Sequence, residues 1–194
     1  MYVRDAKNRD EAWLLDHIEE MALDDVAFRS RDYVIAVDED SNARAGFGRV
    51  RIHKTDAGDY CELTGVGVLR AWRGQGVGAH VVERLVETAA ADGFETVYSV
   101  TDQPSYLAQF GFEAVESSAL PEKMAERLAA KRETIQPDAV ATSLRVDEFE
   151  MPARLREAFK NAAPRAEEED SPDADAEDFG IDPESATYKY DTGR

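Results

Sequence analysis

In this 194-residue chain, the segment that points most directly to chemistry is Arg73-Gly74-Gln75-Gly76-Val77-Gly78. It lies between a strand-like run, Tyr60–Val68, and an amphipathic run from about Gly78 to Asp92 that reads as a helix. A helix start offers unpaired backbone N–H groups and the positive end of the helix dipole. Glycines let those amides close on an anion, so this arrangement suits a phosphate or pyrophosphate. Three glycines at alternate positions cost chain entropy, which weighs against a mere tight connection. A P-loop would need Gly-Lys-Ser/Thr, and the segment has no lysine. The dinucleotide fingerprint GxGxxG follows the first strand of a doubly wound sheet. Here the glycine spacing differs, and antiparallel-looking strands come first.

The elements that must position this loop follow from periodicity. Tyr2–Arg4 reads as a short edge strand. A helix is expected from Asp10 to Met21, with Ala12, Leu14, Leu15, Ile18 and Met21 on one face and Asp10 able to cap its start. Strands are expected at 32–38, 45–55 and 60–68, the last interrupted by Gly65 and Gly67, which mark a bulge or a close backbone approach. After the loop, the helix should bury Val81, Val82, Leu85, Val86 and Ala89 and stop at Gly93. A strand at 96–100, a short helix at 105–110, a strand from Phe112, a helix from Leu120-Pro121 to about Lys131, a strand at 139–146 and a helix at 152–162 complete the order. This is a mixed α/β sheet in which three antiparallel strands feed a crossover helix.

Two segments carry a family resemblance. Val66 to Gly78, with Arg73, Gly76 and Gly78 matching Q/R-x-x-G-x-G/A, resembles motif A of the GNAT N-acetyltransferase superfamily. Tyr106-Leu107-Ala108-Gln109-Phe110-Gly111-Phe112 is similar to its motif B. The resemblance covers about residues 1–117 and is specific over 60–112. It implies a central, mostly antiparallel, splayed sheet flanked by helices, with acetyl-CoA as co-substrate and no metal. The strand 60–68 would splay so that its backbone around Val66 and Val68 pairs with the pantetheine arm. The amides of Gln75, Gly76, Val77 and Gly78 would hold the pyrophosphate, with Arg73 and Gly74 starting the loop, and a carboxylate placed at Gly76 would face it. The Val68 amide would stabilise the oxyanion of acyl transfer.

Acyl transfer to an amine needs a base for the ammonium and an acid for the leaving thiolate. Glu62, six residues before Val68 where several family members carry a glutamate, is the candidate base; a solvated strand charge is the plainer alternative. The Cys61-Glu62-Leu63 pattern and the segment after Gly111 are similar to amino-acid N-acetyltransferase-like members. The family's acid is often a tyrosine four residues before the motif B glycine. Leu107 stands there, and Tyr106, one position earlier, is turned by about 100° around a helix. It is kept as the candidate acid, with packing as the alternative. Cys61 reads as a small core residue, His53 as a strand-end surface residue and Trp72 as packing near the loop.

Charge bounds the partners. Asp and Glu number 41 against 23 Lys and Arg, a net of -18, which argues against nucleic acid and anionic membranes. Cys61 is the single cysteine, and His17, His53 and His80 lack metal-motif spacing. No apolar run reaches the roughly 18 residues of a membrane span, and the N-terminus has no apolar signal core, so the sequence reads as cytoplasmic. Residues 164–194 hold 11 acids and 3 bases and read as a disordered acidic tail after a 1–163 GNAT domain, of which 118–163 is a C-terminal subregion. An acidic body with 17 Arg and 6 Lys suggests a halophilic, high-salt setting. The expected function is transfer of acetyl from acetyl-CoA to a small-molecule or protein amine; the alternative is a non-catalytic, acyl-CoA-binding regulatory domain. A homodimer through the 139–146 strand is open. Deletion of 164–194 is expected to leave donor affinity unchanged by calorimetric titration; a large loss would place the tail in the site.

Overall fold

The alternating segments become a seven-stranded sheet. Strands β1 (Tyr2–Asp5), β2 (Tyr33–Val37), β3 (Arg44–Thr55), β4 (Gly58–Val68), β5 (Thr96–Thr101), β6 (Glu113–Ala114) and β7 (Val140–Arg145) lie in the order β1-β2-β3-β4-β5-β7-β6. Each neighbouring pair is antiparallel except β4 and β5, which are parallel. This is the computed structural model of the chain, and it describes residues 1–24 and 26–165. All but the first two residues of the expected acidic tail lie outside the described residues.

Helices α1 (Glu11–Glu20), α2 (Val77–Ala91), α3 (Pro104–Ala108), α4 (Glu122–Thr134) and α5 (Ala153–Lys160) cover the two faces. On one face α2 buries Val81, Val82, Leu85, Val86 and Ala89, the stripe its periodicity implies. Leu107 of α3, Phe110 just after it and Phe159 of α5 join the same core. On the other face, Leu14 and Ile18 of α1 pack on Tyr33, Ile35, Val37 and Phe47. Met124 and Leu128 of α4 pack on Val100, Ala139 and Ala141. Among the described residues no helix is long and apolar enough to cross a membrane.

One backbone irregularity shapes β4. Phe47 pairs with Gly67 and Arg49 with Thr64, so β4 carries one residue more than β3 in this interval. Gly65, at φ +58°, sits in that bulge in the left-handed region that only glycine enters freely. A one-residue insertion reverses the pleat beyond it. Cys61 and Leu63 before the bulge, and Val66 and Val68 after it, therefore all meet the core beneath α2. Between them Glu62 and Thr64 face α4.

The second irregularity is the β4–β5 contact. The strands pair only at Cys61↔Val97 and Glu62↔Tyr98, then separate while β4 runs on to Val68 and β5 to Thr101. Lys131 of α4 spans the start of the gap. Its Nζ donates to Thr64 Oγ1 on β4 at 3.0 Å and to the Val100 carbonyl on β5 at 2.9 Å.

Asp10 behaves differently from the forward cap its position suggested. Its carboxylate turns back and accepts from the Lys7 amide at 2.9 Å, from Arg4 Nη1 at 2.7 Å and from Arg44 Nε at 2.9 Å. Burial opposes its ionisation, but these three donors outweigh burial and hold its pKa well below the usual carboxylate range. It ties the N-terminal strand to β3. Asp10→Asn keeps the size and removes the charge. It should cost about 3 kcal/mol in urea unfolding, the range for breaking a buried ion pair, and leave the far-ultraviolet spectrum unchanged.

Candidate active site

The glycine turn and the β4–β5 gap meet at the start of α2. Gly76 is the residue before the helix, at φ +76°, and Gly74 is also left-handed at φ +69°. The first N–H groups of α2, at Val77, Gly78 and Ala79, have no partner within the helix. Arg73 is exposed, and its Nε donates back to the Val68 carbonyl at 3.0 Å, so it braces the loop against the end of β4. Trp72 is buried in the core beneath.

Gly76 corrects one expectation. A Cβ there would lie 2.3 Å from the Leu155 carbonyl oxygen. Its open side thus faces α5 and not a ligand, and Gly76→Asp would displace α5 rather than set a carboxylate against an anion. The C-terminal segment holds this side of the turn in three further ways. Gln75 Nε2 donates to the Ala163 carbonyl at 2.9 Å, and the Ala163 amide donates to Gln75 Oε1 at 3.1 Å. His80 stacks on Phe159 with ring centroids 3.8 Å apart.

Tyr106 lies on the opposite side of the turn. A Cβ on Gly78 would lie 2.8 Å from its hydroxyl and 3.3 Å from Val68 Cγ2. Tyr106 Oη, Val68 and the first turn of α2 thus converge where β4 ends. Burial pushes the Tyr106 pKa up to about 12, so the hydroxyl stays protonated and able to donate. Its ring also stands edge-on to Phe110 at 5.4 Å, so packing and convergence coexist.

Glu62 is not the solvated strand charge of the plainer alternative. It is 0% exposed. Its Oε2 accepts from His53 Nε2 at 2.7 Å and from Arg127 Nε at 3.0 Å, and Lys131 Nζ lies 3.6 Å from Oε1. Arg127 also pairs with Asp24, whose second oxygen accepts from the Val26 amide at 2.9 Å. Burial alone would raise the Glu62 pKa; the His53 hydrogen bond and the charges of Lys131 and Arg127 reverse that and hold it at about 2, from the usual 4.5. His53, expected at the surface, is buried beside it. Cys61 points to the other face, and burial pushes its thiol up to about 12, as suits a core residue.

Sequence reasoning missed His53, Arg127, Lys131 and Asp24. A signal was present: Arg49, Arg51 and His53 alternate on one face of a strand, and Lys123, Arg127 and Lys131 recur every four residues on a helix. Nothing in the sequence says that the two rows face each other.

A parallel strand pair thus parts beside a glycine turn and a helix N-terminus. The Acetyltransferase (GNAT) family model matches residues 2–112, more than half of the chain, and the chain belongs to that family. No curated protein sequence matches it. Among solved structures it is similar to Rv2747 from Mycobacterium tuberculosis in complex with CoA and NLQ, at 18% identity over 75% of this chain and 99% of that one, with a TM-score of 0.64. It is similar to N-acetylglutamate synthase from Neisseria gonorrhoeae complexed with coenzyme A and N-acetyl-glutamate, at 16% identity, over 74% of this chain but 34% of that one, with a TM-score of 0.59. Arabidopsis thaliana Naa50 in complex with the bisubstrate analogue CoA-Ac-MVNAL gives 14% identity over 73% of this chain and 96% of that one, with a TM-score of 0.53. At these identities the likeness shows the fold.

The Glu62 cluster carries a pH signature. Because its folded pKa lies below the ordinary 4.5, Glu62 contributes stability that is fully present above about pH 4.5 and is lost as pH falls toward 2. Urea midpoints measured across this window should fall in the wild type. In Glu62→Gln the curve should start lower and fall less steeply.

Proposed function

We propose that the protein transfers an acetyl group from acetyl-CoA to an amine. The observation that carries this is the β4–β5 gap opening beside the glycine turn and the free N–H groups at the start of α2. The residues present fit such a donor. The amides of Gln75 to Gly78 supply positive potential for a pyrophosphate in an acidic protein, and the β4 edge from Leu63 to Val68 has no β5 partner. Acetyl-CoA supplies the activated acyl group. In the reaction the amine nitrogen bonds to the acyl carbon, the carbon–sulfur bond breaks, the ammonium proton leaves and the thiolate takes up a proton.

Tyr106, protonated and beside Val68 and Gly78, is the donor to the thiolate in this reading. Glu62 is the candidate base of this reading, with its carboxylate accepting a hydrogen bond from His53 Nε2. A second reading, a non-catalytic acyl-CoA-binding domain, is favoured by the full burial of Glu62 among three basic partners.

Calorimetric titration with acetyl-CoA should show binding, and thiol release with an amine panel should show turnover. Glu62→Gln should lower kcat and shift the pH–rate profile, with acetyl-CoA affinity retained. Binding without thiol release for any amine would establish the second reading. No binding at millimolar acetyl-CoA would overturn both.

A further inference from the structure

The glycine turn is built from backbone that its own residues leave loose. Gly74 and Gly76 both sit in the left-handed region, and neither carries a side chain to anchor it. Contacts from outside the turn therefore set the direction of its N–H groups. The peptide unit joining Gly76 to Val77 is planar, so its carbonyl and its N–H point opposite ways. Whatever fixes the Gly76 carbonyl also fixes the Val77 N–H. That carbonyl accepts twice from His80, from the amide at 3.1 Å and from the ring Nδ1 at 3.0 Å. A carbonyl only accepts, so Nδ1 carries the proton of this bond. The amide bond belongs to the first turn of α2. The ring bond is additional, and it depends on where the imidazole lies.

The place of the imidazole is set by α5. The His80 and Phe159 rings are nearly parallel, at 10°, with centroids 3.8 Å apart, and both side chains are buried. α5 is tied in turn to both neighbouring helices. Arg156 Nη2 donates to Glu83 Oε1 on α2 at 2.7 Å, and Arg154 Nη2 donates to Gln109 Oε1, just after α3, at 2.6 Å. Exposed pairs of this kind contribute little alone. The buried stack is the contact that reaches the turn. Gln75 Nε2 donates to the Ala71 carbonyl at 3.2 Å as well as to that of Ala163, so the turn is tied to the chain before it and to the chain after α5.

We propose that α5 is a clamp on the donor turn, and that Phe159 and His80 are positioning residues for pyrophosphate binding. The stack places the imidazole, the imidazole holds the Gly76 carbonyl, and the planar peptide aims the Val77 N–H at the anion. The ligand in this proposal rests on the acetyl-CoA reading of the turn; the clamp itself does not. An amide that is already aimed needs no ordering when the anion arrives. Loss of the clamp is therefore felt as weaker donor binding and not as slower chemistry.

The test uses the full chain carrying Phe159→Ala, Phe159→Tyr or His80→Phe. Met124→Ala is the control, because it removes core volume beneath α4 on the other sheet face. Nitrogen-15 NMR at about pH 8, above the ordinary histidine range, reads the His80 ring. Calorimetry reads acetyl-CoA binding. In wild type the ring should show Nδ1 protonated and Nε2 bare. Phe159→Ala should lose that signature and bind acetyl-CoA about tenfold more weakly, the scale of one misdirected hydrogen bond to a charged group. Phe159→Tyr should restore both. His80→Phe keeps an aromatic ring against Phe159 but has no donor, and it should weaken binding by about the same factor. It keeps the proposal testable if Phe159→Ala folds poorly. In these variants the KM for acetyl-CoA should rise while kcat at saturation holds. Met124→Ala should lose urea stability and keep wild-type affinity. Wild-type affinity in Phe159→Ala and His80→Phe, or an equal loss in Met124→Ala, overturns the proposal. If Phe159→Ala loses the ring signature but wild type binds no acetyl-CoA at millimolar concentration, the clamp stands and only the donor reading is overturned.

Discussion

A buried carboxylate is the constraint on which the functional face of this molecule depends. Glu62 sits in the middle of the sheet with no exposed surface, where an uncompensated charge would cost several kcal/mol. It is tolerated because two separated parts of the chain bring three basic groups to it: His53 from β3, and Arg127 and Lys131 from successive turns of α4. Arg127 extends the set to Asp24 in the segment after α1, and Lys131 extends it across the β4–β5 gap to Val100. The ionic cluster therefore fixes α4 on the sheet and braces the two strands at the point where they part. Its members cannot be exchanged one at a time without leaving a buried charge unmatched.

The bulge at Gly65 reflects one extra residue in β4, just beyond the point where β4 and β5 part. Before the bulge, alternate side chains send Glu62 and Thr64 to the polar side. After it the pleat is reversed, and Val66 and Val68 join the core beneath α2. The same strand thus supplies the buried anion on one face and then an apolar stretch with an unpaired edge. The glycine turn follows directly, and its two sides are already occupied by Tyr106 and by the backbone of α5. The N–H groups at the start of α2 have no partner within the helix.

Net charge misleads about such a site. The strongly acidic total excludes polyanionic surfaces as partners, yet it says nothing of local potential. Backbone amides provide positive potential without any basic residue, and a few basic side chains gather around Glu62 on one sheet face. Arg49, Arg51 and His53 are brought together by the period of a strand, and Lys123, Arg127 and Lys131 by the period of a helix. The two rows combine because α4 packs over β4 and the neighbouring strands.

The order of elements, the α2 stripe, the strand–glycine–helix turn and the family were legible in the sequence, because each is a local pattern: periodicity, backbone permissiveness or a contiguous motif. Roles for Arg73, the turn amides and Tyr106 were suggested by the same contiguous motifs, although the one-residue displacement of Tyr106 left its direction open. The burial of Glu62, the burial of His53 against it and the direction in which Gly76 faces were not. Those depend on which residues far apart in the chain are pressed together. Residues 53, 62 and 127 meet only because α4 returns over the sheet, and Gly76 meets Leu155 only because α5 folds back on the turn. Local propensity decided which elements form. Tertiary packing decided which charges are buried, and so what chemistry each can perform.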